Sequence, residues 1–247
     1  MIHIAETVCA GSIEGFLSPT EIEQLAAIMA EHLAGDSRSV YGVGRKTSIH
    51  EIPGHTAAQA MDVYEPAGRI ELTAIPGTAE RILAGAFGRA RTAIARIMPS
   101  ITACRPWTYV EYGPGQHITA HLDGIAPDPL GWPRQVAGIS VVIQQCGDGG
   151  GFYIETCSSD LIWERMIGDA EHGYAASMWL ARDGADGSAR WFQAAARTRW
   201  TTDPAPGAAL LYGSQLAHGT IPVRSGRITK FISWLTADGP ARQGGGA

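Results

Sequence analysis

The sequence has few lysines and no dense run of basic residues. Lys46 and Lys230 are the only lysines in 247 residues, so almost all of the 19 basic side chains are arginine. This bias indicates the base composition of a GC-rich bacterial genome rather than a function. The formal net charge is −5. Nucleic-acid-binding proteins usually carry a basic stripe or patch, so we expect no nucleic-acid partner.

Cysteine pairs, long apolar runs and a leader-like start are also missing. The four cysteines are scattered and form no C-x-x-C pair; they are Cys9, Cys104, Cys146 and Cys157. No apolar run is long enough to span a bilayer. The first residues lack a basic segment followed by an apolar stretch, which is the pattern of a secretory signal. We therefore expect a cytoplasmic protein with reduced thiols and no membrane partner.

The composition is that of an ordinary globular domain. Hydrophobic residues make up 45% and charged residues 17% of the chain, which is enough to bury a core without disulfides. A helix is predicted over residues 19–32, because Ser18 and Glu21 form a capping box and Pro19 suits the first helical position. A second helix is predicted over residues 79–97 from its apolar stripe, and Pro99 ends it.

Short strand-like runs dominate the chain after Pro99. They alternate with Gly, Pro and Asp clusters and cover residues 107–112, 136–144, 151–156, 208–212 and 228–235. One earlier run, residues 69–75, has the same alternation. Many short strands after two helices predict a mainly β fold with flanking helices, built on a double-stranded β-helix or jelly-roll core. We expect one domain over residues 1–237, with a helical support region (1–104), a jelly-roll core (105–236) and a flexible tail (238–247).

A long stretch inside the predicted core, residues 158–205, has no regular pattern. Its tryptophans and its one tyrosine are Trp163, Tyr174, Trp179, Trp191 and Trp200. Connections of this length are uncommon in compact domains unless they form a lid or a binding loop. We expect this insert to cover the substrate on the open side of the barrel. A peripheral subdomain or a subunit contact is the alternative.

Two short segments far apart in the chain predict a metal site. His121 and Asp123 stand at positions i and i+2, so their side chains point to the same side of an extended backbone. His218, which precedes a predicted strand, can complete a set of two histidines and one carboxylate. That set suits non-haem iron(II) and leaves coordination positions open. The sequence therefore predicts iron held by His121, Asp123 and His218.

The spacing around these residues resembles the prolyl-4-hydroxylase-like branch of the iron(II)/2-oxoglutarate-dependent oxygenases. The first part of the family motif is matched by Tyr112, Gly115, Ile118, His121 and Asp123. An arginine-led strand over residues 134–143, a Gly-Gly-aromatic segment at 150–152 and a Pro-Gly before the strand at 208 follow in the family's order. The motif closes with His-x-x-x-Pro-Val-x-x-Gly-Arg, matched by His218, Pro222, Val223, Gly226 and Arg227. The resemblance covers roughly residues 105–236 and has no counterpart for residues 36–76 and 158–205.

The resemblance implies an enzyme that uses iron(II), 2-oxoglutarate and oxygen as cofactor and cosubstrates. Such an enzyme couples decarboxylation of 2-oxoglutarate to oxidation, most simply hydroxylation, of an unactivated C–H bond. Asp123 makes halogenation an unexpected reaction, because related halogenases have a small residue there. A non-catalytic jelly-roll protein that binds a metal or ligand is an alternative. Repair of alkylated nucleic-acid bases shares the chemistry, but the acidic charge balance counts against it.

A cation is needed for the distal carboxylate of 2-oxoglutarate. The candidates are Arg224, Arg227 and Lys230. Side chains on a strand alternate between its two faces, so Arg227 shares a face with Thr229, and Lys230 lies on the opposite face. Arg227 also matches the family position and is the expected clamp, with Thr229 adding a hydroxyl. Tyr112 either donates its hydroxyl to 2-oxoglutarate or is a core tyrosine.

The sequence says least about the main substrate. Trp132, Arg134 and Trp163 are the candidate contacts. A small molecule, a free amino acid or a natural-product intermediate is expected, and a peptidyl or carrier-bound residue is the alternative. The oligomeric state is not predicted.

Overall fold

Two long helices and four short ones make up the helical part of the described chain. In the computed structural model, which describes residues 1–239, six α-helices cover Ile4–Val8 (α1), Pro19–His32 (α2), Ser37–Val40 (α3), Ala57–Tyr64 (α4), Gly77–Ile97 (α5) and Arg190–Ala194 (α6). The helix α2 begins as the sequence predicts, with the Ser18–Glu21 capping box formed and Pro19 in its first turn. A second capping box, between Thr56 and Gln59, starts α4. No helix in the described part of the chain is long and apolar enough to cross a membrane.

A seven-stranded antiparallel sheet forms one wall of the core. Its strands are Ala10–Ile13 (β1), Ile70–Leu72 (β2), Ala103–Cys104 (β3), Thr108–Tyr112 (β4), Arg134–Gln144 (β6), Ala209–Gly213 (β11) and Ile228–Ala237 (β13). Their order is β1-β11-β6-β13-β4-β2, and β3 also pairs with β13. The predicted support region thus supplies three strands, β1, β2 and β3, as well as helices.

A four-stranded sheet forms the opposite wall. It contains Ile118–His121 (β5), Phe152–Cys157 (β7), Arg197–Thr202 (β10) and Ala217–Thr220 (β12), in the order β10-β7-β12-β5. The strands Trp163–Met166 (β8) and Trp179–Ala181 (β9) form a separate hairpin. The chain passes back and forth between two facing antiparallel sheets, which is the jelly roll that the sequence predicts. The predicted fold class is confirmed.

The two faces of the large sheet have different neighbours. Its outer face packs on α2 and α5 in the main core cluster, which includes Leu25, Leu83, Val141, Phe231 and Leu235. Its inner face turns toward the small sheet and encloses a polar cavity lined by Ser140, Lys230 and Trp234 together with residues of the small sheet. Alternation along β13 therefore places Phe231 among the helices and Lys230 in the cavity.

The insert predicted over residues 158–205 is partly regular. It contains the β8–β9 hairpin, α6 and β10, and β10 extends the small sheet by pairing with β7. The predicted tail lies, from residue 240 onward, outside the described residues. Of its first two residues, Asp238 donates its backbone N–H to Thr102 Oγ1 at 2.9 Å.

Candidate metal centre

The small sheet brings the three predicted metal ligands together. His121 ends β5 and His218 lies in β12, and these two residues are direct partners in the antiparallel pairing of the two strands. Their ring centroids are 4.5 Å apart. Asp123 follows β5 by two residues, and its Oδ1 lies 3.6 Å from Nε2 of His121. All three line the cavity between the sheets.

Both imidazoles are oriented by backbone carbonyls. Nδ1 of His121 lies 2.8 Å from the carbonyl oxygen of Thr119, and Nδ1 of His218 lies 3.0 Å from that of Leu216. A ring nitrogen beside a carbonyl carries the proton, which leaves Nε2 with a free lone pair. Nε2 of His121 is buried without any hydrogen-bond partner. A buried ring nitrogen that accepts no hydrogen bond can coordinate a metal ion through its lone pair.

The third ligand is a buried carboxylate that needs a cation. Burial raises the pKa of Asp123, while His218 and a hydrogen bond from Trp234 act in the opposite direction. The indole Nε1 of Trp234 donates to Oδ2 at 3.3 Å, so it fixes the carboxylate and leaves Oδ1 facing His121. Burial also holds the pKa of His121 well below its usual value, and His218 adds to this effect. Neutral imidazoles and one carboxylate are the donor set that iron(II) takes, so the residues present fit the metal.

A third imidazole, which the sequence did not predict, lies in the same cavity. His50 belongs to the irregular segment before α4, and its ring stacks near Tyr64 and His121 at centroid distances of 4.8 and 4.6 Å. One ligand atom from each of His50, His121 and Asp123 falls within 4.8 Å of the other two. Nothing in the sequence around His50 indicates this, because residues 41–56 lie in no helix or strand and match no motif.

Of the basic residues considered for the clamp, Lys230 and not Arg227 lines the cavity. Its ammonium group donates to Thr220 Oγ1 at 2.8 Å and lies 5.0 Å from the ring centroid of Tyr112. Within residues 1–239, no carboxylate pairs with it. Burial, and then Arg69, lower the pKa of Lys230 to about 7. An unpaired buried ammonium group is costly on its own, so the cavity is built to receive an anion.

Arg227 lies on the far face of the large sheet, which corrects the expected position of the clamp. Its side chain is 50% exposed and its Nε pairs with Glu111 Oε1 at 2.9 Å. Arg38 contacts the same carboxylate. Thr229 is buried on this face too and is not among the residues that line the cavity. The assignment failed because the face with Thr229 and Ser233 looked like a polar interior, whereas Phe231 on that face packs against the helices.

Tyr112 does line the cavity, together with an arginine that the sequence analysis left aside. Arg69, just before β2, is fully buried and donates from Nη1 to the hydroxyl of Tyr112 at 2.7 Å. It also pairs with Glu65 and Glu71, and Arg45 pairs with the same two carboxylates. The four charges balance, so Arg69 is held firmly in place beside Lys230. Burial raises the pKa of Tyr112, which keeps its hydroxyl protonated.

The three candidate substrate contacts lie outside this cavity. Arg134 is completely buried, and its guanidinium donates to the carbonyls of Leu130, Gly131 and His172. It also lies 3.8 Å from the ring centroid of Trp132. Trp163 lies in the β8–β9 hairpin, away from the lining residues. Arg134 and Trp132 thus join the loop before β6 to the insert, which is a structural role.

The insert touches the back of the small sheet rather than the cavity. Phe192 packs with Ala120 and Ala217 on the outer face of that sheet. The insert also contacts the backbone between His121 and Asp123, where the N–H of Leu122 donates to the carbonyl of Ala185 at 3.0 Å. No cavity-lining residue comes from residues 158–205. This placement favours the peripheral subdomain over the expected substrate cover.

Comparison with known proteins identifies the fold. No protein-family model matches the sequence, and no curated protein matches it. A Pseudomonas putida prolyl-4-hydroxylase aligns at TM-score 0.55 and 14% identity, over 94% of this chain and 95% of that one. A Trichoplax adhaerens prolyl hydroxylase, in complex with a hypoxia inducible factor oxygen degradation domain peptide fragment, aligns at TM-score 0.56 and 11% identity, over 95% and 88%. A viral collagen prolyl hydroxylase from Paramecium Bursaria Chlorella virus-1, as a 2OG complex, aligns at TM-score 0.51 and 14% identity, over 95% and 99%.

Proposed function

We propose that this protein is an iron(II)- and 2-oxoglutarate-dependent dioxygenase that hydroxylates an unactivated C–H bond. One observation carries the proposal: a single cavity holds both a donor set for iron and a buried cation that pairs with no carboxylate among the described residues. His121, Asp123 and His218 would hold the metal. Lys230 would bind the distal carboxylate of 2-oxoglutarate. The fold shared with prolyl hydroxylases agrees with both assignments.

The overall reaction converts substrate R–H, 2-oxoglutarate and oxygen into R–OH, succinate and carbon dioxide. Bound iron supplies the activation of oxygen and the oxidation of the C–H bond. The chain supplies the rest: the two histidines and Asp123 fix the metal, Trp234 orients the carboxylate, and the enclosing sheets exclude water. The protein thus positions the reactants, while the hard chemistry belongs to the cofactor.

Lys230 and Arg69 form the anion site of the proposal. Arg69 is already paired with Glu65 and Glu71, so Lys230 is the side chain whose charge is left for a ligand. The tyrosine ring of Tyr112 lies beside both cations, 5.0 Å from the Lys230 ammonium group and 5.7 Å from the Arg69 guanidinium. Its hydroxyl accepts from Arg69 and keeps its own proton, which it can donate to a carboxylate. This supports the ligand-binding role of Tyr112 over the core-tyrosine alternative.

Binding of 2-oxoglutarate is expected to weaken as the pH rises above about 7. The groups that face Lys230 are Arg69, which lowers its pKa, Cys146, which raises it, and the uncharged Tyr112 and Thr220. The ammonium form binds the carboxylate, so affinity is constant below the pKa of the free lysine and falls by up to about tenfold per pH unit above it. The bound anion raises that pKa, so binding takes up a proton at higher pH. Calorimetry of the metal-loaded protein in buffers of different ionisation enthalpy measures this uptake.

The control for this pH effect is Lys230→Met, in which the dependence should disappear along with most of the affinity. Equal 2-oxoglutarate affinity of the unmodified protein at about pH 6 and about pH 9 would show that Lys230 does not carry the anion.

Succinate release tests the activity itself. The protein is supplied with iron(II), oxygen and 2-oxoglutarate labelled at C1, and carbon dioxide and succinate are measured with pools of candidate substrates. Stimulation by one pool, abolished in His218→Ala, supports the proposal. A protein that binds metal and never turns over 2-oxoglutarate with any pool would instead be the non-catalytic jelly-roll binding protein.

Two substrate classes belong in these pools. Small molecules and amino-acid-like compounds come first, because the ionisable side chains of His50, Arg69 and Lys230 line the cavity between the sheets. Peptidyl or carrier-bound residues come second, because one solved structure with this fold holds a peptide fragment. A peptide that stimulates turnover when its free amino acid does not would decide for the second class.

A further inference from the structure

His50 lies among the metal ligands although the three-residue donor set does not need it. Its ring is partly buried and lines the cavity. It meets the ring of His121 edge-on, with an interplanar angle of 70°. A ring nitrogen of His50, one of His121 and a carboxylate oxygen of Asp123 lie within 4.8 Å of one another. Ligands around one metal ion have such separations, since neighbouring and opposite donors at about 2.1 Å lie roughly 3 and 4 Å apart.

The chain holds His50 in this position by contacts on both sides. The backbone N–H of Ile49 donates to Glu71 Oε1 at 3.1 Å, and Ser48 Oγ donates to Glu65 Oε1 at 3.4 Å. The ring packs against Tyr64.

We propose that His50 is a fourth ligand of the metal, which has three histidine ligands and one carboxylate ligand until the cosubstrate binds. The proposal rests on the metal site proposed above and extends it. Nothing in the motif that carries the family resemblance includes a histidine at this point.

His50 has to leave the metal before 2-oxoglutarate and oxygen can both bind. A six-coordinate metal with three protein ligands keeps three positions, which suffices for a chelating cosubstrate and oxygen. With His50 bound, two positions are left, and a chelating 2-oxo acid fills both. With His50 and the chelating 2-oxo acid both bound, no position is left for oxygen, so turnover requires the release of His50.

The charge network gives a route from cosubstrate binding to His50. Arg69 lines the cavity beside Lys230 and pairs with Glu65 and Glu71. The same two carboxylates hold Ser48 and Ile49, the two residues before His50. An anion bound at Lys230 also attracts the Arg69 guanidinium, which weakens the ion pairs between Arg69 and these two carboxylates. The segment that carries His50 is then less firmly fixed.

The test uses cobalt(II), whose visible spectrum reports the number and type of ligands, in the full-length protein without oxygen. His50→Ala is expected to weaken cobalt(II) binding by more than about tenfold, the lower end of what even the loss of an outer-shell partner costs. Its spectrum should change, and added imidazole should restore the original one. His55→Ala is the matched control, because His55 lies on the same segment and is exposed. Identical affinity and spectrum in the two variants would overturn the proposal.

Pulsed electron paramagnetic resonance of the unmodified protein, loaded with cobalt(II), decides the point even if His50→Ala does not fold. Three coordinated imidazoles support the proposal, and two overturn it. Added 2-oxoglutarate should lower the count from three to two, and His50→Ala should bind 2-oxoglutarate more tightly than the unmodified protein. A count that stays at three with 2-oxoglutarate bound refutes the release. If no form binds 2-oxoglutarate, the proposed function fails, whereas the count without it still tests His50.

Discussion

Replacement of Lys230 by methionine is expected to lower the affinity of the metal-loaded protein for 2-oxoglutarate by about 30-fold to several thousand-fold. Loss of one partner from a buried, hydrogen-bonded charge pair costs about 2–5 kcal/mol, and each 1.4 kcal/mol is about a factor of ten. Methionine keeps the length of the side chain and removes its charge. Titration calorimetry with 2-oxoglutarate under anaerobic conditions measures the change.

The matched control is Arg227→Met. The Arg227 side chain is half exposed and pairs with Glu111, a carboxylate that Arg38 also contacts. An exposed ion pair contributes about 0–1 kcal/mol to stability, and this one lies outside the cavity. We expect little change in 2-oxoglutarate affinity. A larger loss for Arg227→Met than for Lys230→Met would restore the clamp predicted from the sequence and contradict the geometry.

Stability separates loss of binding from loss of folding in these variants. The Lys230 ammonium group is buried without a carboxylate partner among the described residues, which is a cost to the free protein. Lys230→Met removes that cost, so the free variant should melt at the same temperature as the unmodified protein or higher. A variant that binds no 2-oxoglutarate and is also less stable would not count as evidence for the clamp.

The three expected ligands line one cavity, whereas the expected clamp, Arg227, lies outside it, and the difference has a physical reason. His121 and Asp123 are two residues apart, so any extended backbone sends both side chains to one side. His218 comes close because its strand pairs directly with the strand of His121. The choice between Arg227 and Lys230 depends instead on which face of β13 turns inward. That is decided by helices far away in the sequence, against which Phe231 packs.

The scarcity of lysine was the signal that could have shown the correct face. In a chain whose basic residues are almost all arginine, Lys230 stands in a strand between apolar neighbours, Ile228 and Ile232. A buried lysine at such a place suggests a functional charge. His50 and Arg69 have no comparable signal. His50 lies in an irregular segment, and Arg69 lies just before a short edge strand. The positions of both side chains in the cavity depend on the three-dimensional packing of residues 44–72.

The second large effect is expected from His218→Ala, which should lower metal affinity by more than about 100-fold, beyond the 10- to 100-fold typical of outer-shell partners. The unmodified protein is expected to bind one iron(II) per chain. Loss of His218 leaves His121 and Asp123, and with them His50, as the donors within reach of one another. Metal content after dialysis, and cobalt(II) titration, measure the loss.

His117→Ala is the control for this variant. His117 directly precedes β5, and its Nδ1 contacts the carbonyl of Gly115 rather than any cavity residue. The stabilisation that metal gives grows with the logarithm of its concentration over the dissociation constant. Added metal should therefore raise the melting temperature of His117→Ala as it does for the unmodified protein, and leave that of His218→Ala nearly unchanged. Equal metal-induced shifts in the two variants would remove His218 from the donor set. The histidines left in the cavity, His50 and His121, would then be the pair that binds the metal with Asp123.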